Sequence, residues 1–252
     1  MHDEITHDTL LRGRVKLLQP KHGFRSSLDP VLLAGFLAPP FGRFLDIGCA
    51  TGALSFLLLA RDLAARGVGV EIQPRLAALA QRGCADNGFA ERFRVVTGDV
   101  RAKDTVSPGT FDLVAANPPF RPVGTGVLPP LSEKALANHE VSLSLAEWLD
   151  VAAGALVPGG RLATIFPFDR LDELRVALNE RGFAVQRRRA VVPRIGESPS
   201  RILLEARREL SPGLAALCSP ADSALSDPER PLIVHDDSGY SPEVRHMLGE
   251  TP

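Results

Sequence analysis

From residue 43 onward, short apolar runs alternate with longer stretches in which apolar residues recur every three or four positions. Units of strand, helix and strand around a parallel sheet produce that alternation. Phe44-Leu45-Asp46-Ile47 reads as a buried strand, and residues 54–65 as the helix after it. Val68-Gly69-Val70-Glu71-Ile72 is a second strand; Pro74 then opens a helix that stops near Asn87-Gly88. Residues 93–97 form a third strand. Residues 111–115 form a fourth, entered through Ser107-Pro108-Gly109-Thr110 and left through two prolines that cannot continue a ladder. A helix over 145–156 ends at Pro158-Gly159-Gly160, 161–166 is a fifth strand, and 169–180 another helix. Residues 183–192 and 201–206 have no helix-length segment between them and are predicted to pair antiparallel at one edge. The expected architecture is a single α/β domain over 1–252 around a mostly parallel seven-stranded sheet whose last strand is antiparallel. Residues 1–42 form an N-terminal cap region, 43–208 the core, and 209–252 a small ordered appendage around Leu232-Ile233-Val234.

Composition narrows the partners. With 252 residues, 44% hydrophobic and 23% charged, the chain has the balance of a globular protein with a buried core. Its 29 basic and 30 acidic residues give a net charge of -1, so a polyanion could be held only by a local patch. Eight Arg against two Glu lie between Arg181 and Arg208, including Arg187-Arg188-Arg189, and five basic residues with no acid lie between Arg12 and Arg25. These read equally as phosphate contacts or as charge that keeps an edge strand from aggregating. Residues 221–252 carry seven acids against two Arg. Cys49, Cys84 and Cys218 are scattered and odd in number, which fits a reducing, cytoplasmic setting. The longest apolar run falls far below the ~18 residues of a spanning helix, and the six His lack metal-ligand spacing, so neither membrane nor metal is expected.

In open parallel sheets ligands bind at the carboxyl ends of strands, and four such ends here are unusual. Asp46-Ile47-Gly48-Cys49-Ala50-Thr51-Gly52 offers a tight turn with close access to backbone amides at a helix start. Glu71 stands where an acid accepts hydrogen bonds from ribose hydroxyls. The spacing of the glycines misses G-x-G-x-x-G, which disfavours a nicotinamide dinucleotide and favours S-adenosylmethionine. Gly98-Asp99-Val100 places a carboxylate within reach of an adenine amino group, or equally a helix cap. Asn117-Pro118-Pro119-Phe120 holds an amide oxygen and a carbonyl as a rigid acceptor pair for both hydrogens of a planar amine, with Phe120 as a stacking face.

Together these segments resemble the amino-methylating class I S-adenosylmethionine-dependent methyltransferases, a Rossmann-like fold. Within them the chain resembles the bacterial tRNA(Val) adenine-N6 methyltransferase family. Supporting segments are Phe24-Arg25-Ser26-Ser27-Leu28-Asp29-Pro30, His139-Glu140, Val157-Pro158-Gly159-Gly160-Arg161, and Leu232-Ile233-Val234-His235 followed by Gly239-Tyr240. The resemblance implies that Asp46, Gly48, Cys49, Thr51 and Gly52 surround the methionine and ribose of the cofactor. Glu71 and Ile72 would follow on the ribose side, and Asp99 and Val100 near the adenine. Asn117 and the Pro118 carbonyl would hold the target amine, and Phe120 would stack the base. Ser27 and Asp29 would reach the methionine end, although a helix cap is an equal alternative. Phe120 replaces the family's usual Tyr, and Asn138 stands where many members have Arg. The implied substrate is tRNA. A guanine or adenine of ribosomal RNA, a protein glutamine amide, and an RNA-binding module that merely retains the cofactor pocket are the alternatives; the oligomeric state is open.

Overall fold

The computed structural model describes residues 4–38, 40–118, 143–209 and 228–250. Phe120, the 121–130 loop, Asn138, His139-Glu140 and Cys218 lie outside them. An N-terminal hairpin, β1 (Ile5–Leu10) and β2 (Val15–Pro20), precedes α1 (Asp29–Phe36). The alternating units follow: β3 (Phe41–Ile47), α2 (Ala53–Ala60), β4 (Ala64–Glu71), α3 (Pro74–Asp86), β5 (Phe93–Thr97) and β6 (Phe111–Ala116). Then come α4 (Leu145–Ala155), β7 (Leu156–Pro167), α5 (Leu171–Glu180), β8 (Phe183–Arg194) and β9 (Arg201–Arg208), and finally β10 (Glu229–Asp236), β11 (Gly239–Tyr240) and α6 (Pro242–Met247).

The main sheet runs β11-β10-β8-β9-β7-β6-β3-β4-β5. The α/β, mostly parallel expectation stands, with nine strands in place of seven. β9 runs antiparallel to both β7 and β8, as the missing crossover helix requires. That pair is not an edge, because β10 lies parallel alongside β8 and carries β11 outside it. The supposed appendage is therefore part of the sheet: Leu232 and Val234 are buried in the same core as α1 and α2. The helix after β3 also ends five residues earlier than its apolar pattern suggests. Asp62 turns the chain with φ of +52°, and Ala64 is already paired with Phe41.

Two cores flank the sheet. One packs α1, α2, α3 and α6 through Leu33, Phe44, Phe56 and Leu57; the other packs α4 and α5 through Trp148, Leu149, Phe166 and Leu174. α2 is buried on nearly every side, and burial of its Leu and Phe side chains, about 1.5–3 kcal/mol each, outweighs any shortfall in its length. α4 begins with a capping box in which Ser144 and Glu147 exchange hydrogen bonds, each satisfying an amide the helix leaves open. Among the described residues no helix is long and apolar enough to cross a membrane.

The basic run of β8 has a structural assignment. Arg187 donates to Glu229 of β10 at 2.8 Å and to the Phe36 carbonyl at 3.1 Å, and its guanidinium also pairs with buried Glu205. Arg189 grips Glu243 of α6 through two hydrogen bonds of 2.5 and 2.8 Å. Arg161 meets Glu205 from β7. Arg187 and Arg189 thus tie the C-terminal strand and helix to the sheet through internal ion pairs.

Candidate active site

β3, β4 and β5 succeed one another in one direction across the sheet, and β6 and β7 in the other. The switch lies between β3 and β6, where Asp46 pairs with Ala115 and Ile47 with Ala116. The turn after β3 and Asn117 after β6 therefore emerge side by side, the arrangement that opens a crevice at the strand ends.

That crevice has two adjoining halves. The first, about 700 Å³, is walled by Ile47, Val70, Ile72, Val100 and Leu143, with Glu71 and Asp99 at its polar side. The second, about 780 Å³, is bordered by Ser27, Asp29, Asp46, Cys49, Thr51 and Arg201. Phe24, Gly48, Ala50, Asn117 and Pro118 border both. Of the residues expected from the sequence to touch a cofactor, only Gly52 lies outside these walls. It starts α2 at φ of +88°, and a Cβ there would sit 2.6 Å from the Phe56 ring. Gly48, at φ of +72° with open space around its α-carbon, leaves the turn approachable.

The turn does not offer the ring of amide donors its glycines suggest. The Gly48 and Cys49 amides both donate to the Val70 carbonyl, Gly52 donates to Cys49, and Ala50 donates to Glu71 Oε2 at 2.9 Å. Glu71 Oε1 accepts the Gln73 amide at 2.8 Å, so this carboxylate fixes the turn while keeping lone pairs for a ligand. Burial raises its pKa, against the pull of those amides. Asp46, buried at 2% exposure, accepts the Ser55 hydroxyl at 2.6 Å. Burial and, secondarily, the charge of Glu71 push its pKa up to about 7. The buried Cys49 thiol is likewise pushed well up by burial, which makes it a small wall residue and no nucleophile.

Asp99 is already occupied: Arg101 donates to both of its oxygens at 2.6–3.1 Å and reaches Glu147 of α4 at 2.7 Å. Those bonds hold the Asp99 carboxyl below its ordinary range. At the far end, Arg201 lies 3.6 Å from Asp29, whose pKa burial raises despite that cation. The Ser27 hydroxyl accepts the Asp29 amide, the first of α1, at 3.2 Å, and Ser27 and Asp29 both border the crevice. Three buried side-chain oxygens at the crevice remain without partners among the described residues: Asn117 Oδ1, Thr51 Oγ1 and Gln73 Oε1. A buried acceptor left unpaired costs about 1–3 kcal/mol, which a ligand's donor recovers.

Among the crevice-lining side chains that the sequence does not single out are Phe24, Leu143 and Arg201; none of the three directly follows a parallel strand, so the strand-end rule does not reach them. Among the described residues no cluster of three or more His, Cys, Asp or Glu could hold a metal.

The methyltransferase small domain family matches residues 29–167. The tRNA1(Val) (adenine(37)-N6)-methyltransferase of Porphyromonas gingivalis is 34% identical over 230 residues, covering 87% of this chain and 85% of its own. Its counterpart from Tolumonas auensis is 29% identical over 235 residues, 92% of this chain and 91% of its own. Among solved structures, a predicted O-methyltransferase from Agrobacterium tumefaciens superposes with a TM-score of 0.65 at 24% identity, over 87% of this chain and 95% of that one. TYW2 of P. horikoshii in complex with MeSAdo gives 0.57 at 16%, over 81% and 71%. Those two share the fold. The crevice at the switch point and the sequence match over most of the chain agree: this protein belongs to the methyltransferase small domain family, with the bacterial tRNA1(Val) adenine-N6 methyltransferases as its relatives.

Proposed function

We propose that this chain methylates the exocyclic amino nitrogen of an adenine in tRNA, with S-adenosylmethionine as the donor. The observation that carries the reading is Asn117 Oδ1, a buried acceptor without a partner among the described residues, at the switch point and followed by Pro118. The crevice suits the donor's parts. Ile72, Val100 and Leu143 offer an apolar slot for an adenine, Glu71 has lone pairs for ribose hydroxyls, and Asp46 and Asp29 bring negative charge to the half that would receive the methionine. S-adenosylmethionine, when bound, supplies an electrophilic methyl group on a cationic sulfur.

The protein's own contribution is orientation and electrostatics. Asn117 Oδ1 and the Pro118 carbonyl accept the two hydrogens of the substrate amine, drawing its lone pair out of conjugation and toward the crevice. The same oxygens stabilise the positive charge that grows on that nitrogen. Phe24, and Phe120 outside the described residues, supply aromatic faces for a base taken out of its stack. Relatives named for tRNA adenine-N6 methylation support this substrate. The test is transfer of label from S-adenosylmethionine to total tRNA from a strain lacking the modification, read as N6-methyladenosine by mass spectrometry. Label in another nucleoside, or in protein, would replace the assignment.

A further inference from the structure

A second concentration of charge lies toward the opposite ends of the same strands. Arg43 of β3 is the register partner of Arg66 of β4, and Arg94 of β5 pairs with Val68, one strand step along the same face. Residues 98–110, which join β5 to β6, form turns instead of the helix that usually covers a parallel sheet, while α4 lies over β6 and β7 and α5 over β8. This quarter of the sheet is left as a groove of about 440 Å³ bordered by Arg43, Arg66, Val68, Arg94 and Phe111, in which Glu91 is the one acid.

The three arginines form no ion pair with any described residue. Arg101, Arg181, Arg187 and Arg189, by contrast, each face a carboxylate. Even Arg92, at the groove's margin, is used internally, on Asp62 and the carbonyls of Ala64 and Ala65. Arg43 is held over the Phe111 ring at 5.8 Å, which leaves its guanidinium edge available. Three aligned, mutually repelling guanidinium groups in a concave, partly apolar setting match a run of phosphates better than they match water.

We propose that this groove binds the phosphate backbone of the RNA substrate at a distance from the target base. The inference rests on the tRNA reading above. Arg43 precedes Ile47 by four residues, so the groove begins roughly 13 Å from the catalytic turn at ~3.3 Å per residue. It therefore acts on affinity and register, and the reacting amine is out of its reach.

The test compares the full-length wild type with the Arg43→Gln/Arg66→Gln/Arg94→Gln variant, using unfractionated tRNA as the probe. The salt dependence of affinity is expected to lose about two in slope, at roughly 0.7–0.9 per phosphate contact. KM for tRNA should rise about tenfold, with kcat and S-adenosylmethionine binding unchanged. Arg175→Gln, on the surface of α5, serves as a charge control, and Arg94→Glu alone serves should the triple variant fold poorly. An unchanged salt slope, or an equal loss in the Arg175 control, overturns the groove. A wild type that binds tRNA through these arginines but transfers no methyl group to it overturns the catalytic reading and leaves the groove standing; a wild type that does not bind tRNA overturns both.

Discussion

Ser55 donates its hydroxyl to Asp46 Oδ2 at 2.6 Å, and both side chains are buried behind the glycine turn. This hydrogen bond favours the ionised form of a carboxyl that burial otherwise pushes up to about 7. In the unfolded chain Asp46 titrates near 3.8, so between pH 4 and 7 the folded protein holds the proton more tightly, and stability contributed by this group declines as pH rises through that window. Asp46→Asn, which keeps an acceptor for Ser55, is expected to raise the thermal midpoint more at pH 8 than at pH 5. Ser55→Ala, which removes a hydrogen bond to a charged group worth about 1.5–3 kcal/mol, should destabilise more at pH 8. Denaturation scans across pH check both, and a pH-independent Asp46→Asn effect would refute the raised pKa.

The same carboxyl links pH to ligand binding. A cationic ligand in the second half of the crevice favours ionised Asp46, so affinity for S-adenosylmethionine is expected to weaken as pH falls below 7. Binding there should release a proton. Calorimetry in buffers of different ionisation enthalpy measures that release, and Asp46→Asn should abolish it.

Asn117→Ala is expected to lower kcat/KM by about 10²-fold or more, the scale of losing one preorganised polar contact in a transition state. S-adenosylmethionine binding should survive, because Glu71, Thr51 and the apolar slot are untouched. Loss of binding by calorimetry would move Asn117 from the amine to the cofactor.

Phe24 borders both halves of the crevice and makes no ring contact with another described aromatic. If it stacks the substrate base, Phe24→Ala forfeits about 1–3 kcal/mol, seen as a KM for tRNA raised roughly five- to 150-fold, while Phe24→Tyr is nearly neutral. Equal kinetics for all three proteins would remove Phe24 from the site.

Arg187→Ala is expected to destabilise the fold by roughly 1–3 kcal/mol, since buried Glu205 would keep only Arg161 as a partner. The salt dependence of tRNA affinity should not change. A loss of salt slope with unchanged stability would return this arginine to the RNA interface.

What the sequence determined by itself was the part of the protein that is local. The βαβ rhythm follows from apolar period, and strand ends bear ligands, so Asp46, Glu71, Asp99 and Asn117 stand out as a set in the sequence alone, and the structure brings all four to one crevice. Tertiary structure decided what depends on partners distant in the chain. Arg187 and Arg94 are both arginines on strands. Only the pairing of β8 with β9 and β10 brings Glu205 and Glu229 to the first, and only the missing helix between β5 and β6 leaves the second facing open space. The extent of the sheet was hidden for the same reason: Leu232-Ile233-Val234 reads as a short apolar run, and its place beside β8 is fixed by burial against α1 and by the Arg189–Glu243 contact, neither of which a local pattern contains.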